Sequence, residues 1–474
     1  LIERAKTEIG DLYPEFVESD NAQTTLDGVT KSSGRTPIAY LWTRTVPCPN
    51  PAERPHTVPL VRQTWLVKRK GRYVALRVVP DRKRMELSYE VVSASTQLGL
   101  GFDPEKTAGG GGASCPLCGA AVSAEYARMI GRDGRYEYEL MAAGLLPPTG
   151  RGKTYLGSRE ARSLLPDATR LDQVQRVAAE AGIDAPRDAI PPTGNAGLST
   201  GKVFLYGMRE FADLFTKRQL SMLLTLCKLA RETHSEMIAV GVDAERAKAI
   251  ATYLGLLIDR MADYHSTLCT WHHGAEKTDH TYARQALPMT WDFSEANPFG
   301  GSSGDLAMHL EGIAKVIEHC GATGRPVQVL RGTATELPLD DETQDAVITD
   351  PPYYDNISYA DLSDFFYVWL KRSVGPLYPE HLGAPLTPKR SEAIAATYRH
   401  DGNRDVAKLA YEEMMAQSFA EARRVLRPGG VLVCVYAHQT TAGWSTLIER
   451  CAVRWWLVTL RTRRMSTRTP WAAT

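Results

Sequence analysis

The stretch Val347-Ile348-Thr349-Asp350-Pro351-Pro352-Tyr353-Tyr354-Asp355-Asn356 decides how the chain reads. Its β-branched start predicts a short strand, and the two prolines end it because they cannot donate to a ladder. The alternation continues outward on both sides. Val327–Leu330 predicts a strand ending at Gly332, and Ala346–Thr349 a second ending at Asp350. Asp361–Arg372 and Val406–Leu426 predict helices, and Leu426-Arg-Pro-Gly-Gly430 a tight turn into a strand over Val431–Tyr436. Strands alternating with helices imply an α/β fold with a parallel, doubly wound sheet. Ligands bind such sheets at the carboxyl ends of their strands, where Asp350 stands.

The bulk numbers set limits. A chain of 474 residues predicts roughly two to four domains with large buried cores. Its 43% hydrophobic and 23% charged content is that of a soluble globular protein. No apolar run approaches the ~18 residues of a membrane span. Eight cysteines without a secretory signal predict a reducing cytoplasm, where thiols stay free or bind metal. The net charge of +1 excludes little, since Lys and Arg need only cluster locally to contact phosphates. Lys68, Arg69, Lys70 and Arg72 form such a run, as do Arg82-Lys-Arg84; each is a phosphate-contact candidate or a solvated charged face.

Four regions are expected. Residues 1–38 form a helical lead-in that continues a domain begun upstream. Residues 39–145 carry short β-prone runs (Tyr40-Leu-Trp, Thr64-Trp-Leu-Val, Tyr73-Val-Ala-Leu) and a Gly109–Gly112 joint. Residues 146–300 are mainly helical and a candidate DNA-recognition region, opening on a proline-rich connecting stretch to 203. Within it Thr216-Lys-Arg-Gln219 has capping-box spacing, and Asp243 caps a second helix with Ile250, Tyr253, Leu254, Leu257 and Met261 on its apolar face. Residues 301–474 hold the α/β alternation.

The acidic loop suits one chemistry. An aromatic amine is a poor nucleophile because its lone pair is delocalised into the ring. A carboxylate accepting one N–H and a carbonyl accepting the other favour the pyramidal amine, which can attack a methyl sulfonium. Proline suits the carbonyl role, having a fixed φ and no competing N–H. Asp350 and the Pro351 carbonyl are therefore the candidate acceptors, Pro352 holds the turn, and Tyr353 is placed to stack on the base. Flipping a base from a duplex costs roughly a few kcal/mol, which stacking of ~1–3 kcal/mol largely offsets. The bland alternative is a Pro-Pro turn whose aromatics simply pack. Because the loop recognises an amino group rather than a particular base, adenine N6, cytosine N4 and RNA-base amines stay open.

Cys115-Pro-Leu-Cys118-Gly119 is one half of a metal knuckle: the two-residue gap directs both thiolates at one ion, and glycine permits the turn. Cys48 offers a third ligand, and Glu53 or His56 a fourth, for a structural zinc of Cys3His or Cys3Glu type. Cys269, His272, His273 and His280 form a looser group that reads better as a helix end with solvated histidines.

These pieces together resemble the large bacterial adenine-specific DNA methylases that carry a zinc-ribbon insertion. The resemblance runs through Leu1–Pro14, Tyr40-Leu-Trp, Cys48-Pro-Asn-Pro, Cys115-Pro-Leu-Cys118 and Asp213–Leu220. It continues through Tyr264–Trp271, Ala283–Met289, Trp291–Pro298, Asp350–Asn356 and Pro388-Lys-Arg390. It implies S-adenosylmethionine as donor, a Rossmann-like catalytic sheet, a zinc-ribbon-like β module, and DNA methylated on adenine N6. The family's Phe-x-Gly cofactor loop lies upstream of Leu1, so an upstream segment or partner subunit is expected to supply it. Within this chain Phe299, Gly300 and Gly301 are the substitute. The resemblance also has a cysteine where Glu53 stands, and the basic, tryptophan-rich Cys451–Thr474 departs from its closing strands. If the donor loop is missing, the competing expectation is a non-catalytic nucleic-acid-binding partner.

Overall fold

A computed structural model describes residues 1–17, 34–105, 112–147, 152–192, 200–321, 327–354 and 357–436, with the pieces 23–24, 30–31, 108–109 and 324. Asp355, Asn356 and the tail Cys451–Thr474 lie outside the described residues. The fold is mixed α/β, in two compact units: residues 1–325 with 359–388, and residues 326–358 with 389–474.

The first unit is organised by an antiparallel sheet. Its spine is β1 (Pro37–Pro47), buried along nearly its whole length. After the short strand Thr57–Pro59, which folds back on the end of β1, comes the meander β2 (Trp65–Arg69), β3 (Arg72–Asp81) and β4 (Glu86–Ala94). Strands β5 (Glu137–Leu145) and β7 (Asp292–Ala296) flank β1, with β6 (Thr154–Gly157) outside β5. A strand covered on both faces shows no polar alternation, which is why Ile38-Ala-Tyr-Leu41 reads as an unbroken apolar run.

The ladder β1–β7 joins residues 39–43 to 292–296, so the expected break between a 39–145 module and a 146–300 helical region is not a boundary between compact units. The Gly109–Gly112 joint is spanned by a small antiparallel pairing, Ala108↔Ala113 and Gly109↔Gly112.

Seven helices of this unit matter below. They are α1 (Ile2–Ile9), α2 (Ala124–Arg132), α3 (Ala168–Glu180), α4 (Lys217–Ala239), α5 (Ala244–Tyr264), α6 (Leu306–Gly321) and α7 (Tyr359–Ser373). The proline-rich stretch expected to be mere connection contains α3, which buries Leu171, Val174 and Ala178 and packs on α4. Both predicted caps form: Thr216 Oγ1 accepts the Gln219 amide at 3.1 Å, and Asp243 Oδ1 accepts that of Arg246 at 3.0 Å. On α5 the buried stripe is Leu254, Leu257, Ile258 and Met261. Ile250 and Tyr253, expected on that face, are exposed.

Where α4 meets the sheet, Arg218 grips Glu295 of β7 in two hydrogen bonds of 2.9 Å. Trp42 Nε1 and Thr216 Oγ1 donate to the same carboxylate, and the guanidinium lies 3.8 Å from the Tyr40 ring centre. The pair is thus buried but satisfied, the condition under which burying opposite charges is tolerated.

In the second unit, β8 (Gln344–Thr349) pairs in parallel with β9 (Leu426–Cys434), and α8 (Arg404–Val425) feeds directly into β9. The predicted Leu-Arg-Pro-Gly-Gly turn is a bulge within β9. Gln344 faces Leu426 but Ala346 faces Val431, the extra residues looping out at Gly429, φ +82°. Val327–Leu330, expected as a strand, is irregular, and Val327 is 82% exposed. It has no ladder partner among the described residues, and propensity alone cannot hold a strand. The doubly wound sheet is thus represented, among the described residues of this unit, by one parallel pair. No described helix is long and apolar enough to cross a membrane.

Candidate functional site

Two hairpin tips in the first unit converge on one point. The first joins β1 to Thr57–Pro59; Pro47 pairs with Thr57, and the Cys48 amide donates to the His56 carbonyl at 2.8 Å. That register sets Cys48 and His56 across from each other at the hairpin's mouth. The second joins Gly112–Ser114 to Ala121–Val122, with Cys115 N–H to the Ala120 carbonyl and Gly119 N–H to the Cys115 carbonyl, each 2.8 Å. Gly119 has φ +81°, which lets the chain turn back under Cys118.

The four ligand atoms of Cys48, His56, Cys115 and Cys118 lie within 4.8 Å of one another. Cys48 and Cys118 sulfurs are 3.6 Å apart, and His56 Nε2 is 3.2 Å from the Cys115 sulfur. A tetrahedral ion with sulfur arms of about 2.3 Å needs donors roughly 3.8 Å apart, so this set fits with small adjustments. His56 Nδ1 meets the Arg54 carbonyl at 2.7 Å, which directs the Nε2 lone pair at the cluster. The Ala120 amide draws the Cys118 thiol down to about 6, while burial pushes Cys48 up to about 12. Three sulfurs and one imidazole nitrogen facing one point are a donor set that a soft divalent cation would take over. Beneath the tips lie Val46, Val58, Leu117, Val122, Ile130 and Trp291, so the site is braced by core. Glu53, the other fourth-ligand candidate, is exposed and outside the group. Among the described residues this is the one such group.

The acidic loop lies at the carboxyl end of β8, in the second unit. Thr349 is the last paired residue, its carbonyl accepting the Val435 amide at 2.9 Å, and Asp350 follows on the exposed side. Pro351 is buried. The Pro352 carbonyl accepts the Tyr411 hydroxyl of α8 at 2.8 Å, whereas among the described residues nothing donates to the Pro351 carbonyl. Tyr353 folds back on the loop: its hydroxyl donates to Asp350 Oδ1 at 2.7 Å and its ring stands edge-on to Tyr436, centroids 5.2 Å apart. Tyr354 holds φ +57°, a conformation bulky side chains rarely adopt. Its carbonyl accepts the Ala395 amide and its ring meets Tyr411 at 5.1 Å, which pins it there. Tyr411, 59 residues from the loop carbonyl it holds, is the supporting residue that no local pattern announces.

Phe299, Gly300 and Gly301 follow β7, which is a buried strand. The loop's amides are already taken: Phe299 N–H by Asn297 Oδ1, Gly300 N–H by the Asn297 carbonyl, and Gly301 N–H by Asp305 Oδ2. A Cβ on Gly300 would come within 3.0 Å of the Pro37 carbonyl oxygen, so that glycine serves close packing against β1. These are not amides left over to cradle a cofactor.

Lys68, Arg69, Lys70 and Arg72 flank the β2–β3 turn. Lys68 pairs with Glu105, and Arg69 and Arg72 reach the buried Glu276 at 3.2 and 2.8 Å. Lys70 stays exposed at the turn. Three of the four are thus paired, and two of them, Arg69 and Arg72, reach a carboxylate some 200 residues away that the sequence pattern did not single out. The looser histidine group does not assemble as ligands. Cys269 is buried against Ser266 and Thr281, His280 pairs with Asp263 at 3.2 Å, and His272 Nδ1 accepts the Ala275 amide.

Compared with protein-family models, with curated proteins and with solved structures, the chain finds no match in any of the three.

Proposed function

We propose that this chain is an S-adenosylmethionine-dependent methyltransferase acting on an exocyclic amine of a nucleic-acid base, with adenine N6 of DNA as its substrate. The single observation that carries the reading is the loop itself: an exposed Asp350 at the carboxyl end of a parallel strand, with the Pro352 carbonyl anchored by Tyr411 and, among the described residues, no donor on that of Pro351. The donor, when bound, supplies an electrophilic methyl group. Asp350 accepts one amine N–H and the Pro351 carbonyl the other, turning the nitrogen lone pair out of the ring plane. The Tyr353 hydroxyl occupies Asp350 Oδ1 and leaves Oδ2 for the amine; were the hydroxyl to swing away, the ring could stack on the base.

The test is methyl transfer from radiolabelled donor to unmethylated DNA and to RNA, followed by nucleoside analysis. Asp350→Ala should reduce incorporation at least 100-fold with DNA affinity retained; unchanged turnover would refute the assignment. Label in N4-methylcytosine or in RNA would keep the chemistry and change the substrate. One observation favours a second reading, in which another segment or a partner subunit holds the donor: the Phe299–Gly301 amides are engaged within their own loop. Donor titration of this chain alone separates the two.

We further infer that Cys48, His56, Cys115 and Cys118 hold zinc in a structural, zinc-ribbon-like site closed to substrate. One equivalent of zinc by elemental analysis, lost together with thermal stability in Cys115→Ser, is the expected result.

A further inference from the structure

Within the first unit a cleft of about 770 Å³ opens beside β2. That volume falls in the ~300–1,000 Å³ range of small-molecule sites. Its walls come from Arg62–Leu66 on one side and from residues 268–293 on the other, with Leu41 and Met141 contributed by β1 and β5. Three kinds of chemistry meet in it. Trp65, Trp271 and Trp291 reach the wall only by their edges, each being less than a tenth exposed, and two of the rings are fixed, Trp271 Nε1 bonding the Leu66 carbonyl at 2.9 Å and Trp65 Nε1 bonding Glu105 at 3.1 Å. Gln63, Thr270 and Asp292 supply hydrogen-bonding groups.

The third is charge. Arg62, Lys202 and Arg284 line the cleft, all exposed, and among the described residues none forms a side-chain ion pair. This sets them apart from Lys68, Arg69 and Arg72 nearby, each of which does. The cleft's two carboxylates are in part accounted for. Glu105 is held by Lys68, and Asp292 accepts the Arg62 amide at 3.0 Å while burial pushes its carboxyl up to about 6. Arg62 also acts on the Asp292 carboxyl, which leaves Lys202 and Arg284 as the cations in excess; they ask for an anion, and the polar groups beside the indole edges suit a heterocycle attached to it.

We propose that this cleft binds a nucleotide, held chiefly by its phosphate at Lys202 and Arg284 with Arg62 beside them, its base lying in the cleft along the polar groups and the indole edges. Asp292 is placed to accept from the base's amino edge. A free mononucleotide and one nucleotide of a single strand present the same chemistry, and the experiment separates them. The site belongs to the first unit and does not depend on the methyl-transfer reading.

The test is quenching of intrinsic tryptophan fluorescence in the full chain, without donor, titrated with adenosine 5′-monophosphate, adenosine, inorganic phosphate and a ten-nucleotide single strand. Saturable quenching by the monophosphate, at least tenfold tighter than by adenosine, is expected. Arg284→Gln and Arg62→Gln should each weaken it about tenfold, because both groups are exposed and their loss leaves the core intact. Arg176→Gln, an exposed cation on α3 outside the cleft, should change nothing. Tighter binding of the ten-nucleotide strand with the same variant sensitivity assigns the site to a strand; equal binding assigns it to the free nucleotide. No quenching at millimolar monophosphate overturns the proposal, as does quenching insensitive to both arginine variants, or tighter binding of S-adenosylmethionine than of the monophosphate. Asp350→Ala should leave the cleft's affinity unaltered, so failure here and failure of the methyl-transfer reading are told apart.

Discussion

Two sheets in this chain meet water differently. In the first unit β1 is buried along nearly its whole length, its ladders completed by strands drawn from residues 57 to 296. In the second unit the described residues cover the β8–β9 pair on one face only. Leu432 and Cys434 pack with Tyr411, Met415 and Phe419, whereas Ile348 is 75% and Val431 56% exposed on the other face. Parallel strands are ordinarily covered on both faces, and their sequences are correspondingly apolar on both. Val431-Leu-Val-Cys-Val435 has that composition, yet only its alternate residues are packed among the described residues. Identical patterning therefore carries different energetic weight in the two units, and substitution can measure the difference.

The largest effect belongs to the first unit. Arg218→Ala strands Glu295, 1% exposed, without its cation, and should cost about 3–5 kcal/mol. Denaturant unfolding checks this, and a loss under 1 kcal/mol would mean that the pair is not what joins α4 to β7.

Next comes an acid sensitivity confined to the same unit. His265 is fully buried and its Nε2–H bonds the Gly304 carbonyl at 2.7 Å; burial lowers its value from 6.5 to about 4. The unfolded chain therefore takes up the proton first. The contribution is fully present above pH ~6.5 and is lost as pH falls toward 4, to a total on the order of 3 kcal/mol. His265→Gln should flatten that portion of the stability–pH curve, and an unchanged slope would point to carboxylates instead.

The smallest pair of effects sharpens the contrast inside the second unit. Phe419→Ala, on the covered face, should cost ~3 kcal/mol. Ile348→Ala, on the open face, should stay within ~0.5 kcal/mol. Equal losses at the two positions, read by hydrogen exchange across β8 and β9, would show that the open face is covered in solution.

Legibility followed sequence distance. Helix caps at Thr216 and Asp243, the Cys115–Cys118 knuckle and the strand before Asp350 are decided within about four residues, where spacing and geometry are nearly the same thing. The Val327–Leu330 strand failed because a ladder needs a partner that local pattern does not contain. The Ile250–Tyr253 face failed because period alone leaves a helix's rotation open by one residue. The basic run read as free charge, since its acceptor Glu276 lies some 200 residues on.

The metal group and the acidic loop divide along the same line. By itself the sequence determined which residue types stand at each: thiols with two residues between them beside a glycine, and an aspartate before two prolines and a tyrosine. Only the tertiary structure decided that His56 rather than Glu53 completes the group, through the register of one hairpin. It alone drew Tyr411 to the Pro352 carbonyl and folded the Tyr353 hydroxyl onto Asp350. The physical reason is common to both. Covalent neighbours limit which groups can meet, but which of the permitted partners does so is settled by strand register and helix packing across the fold.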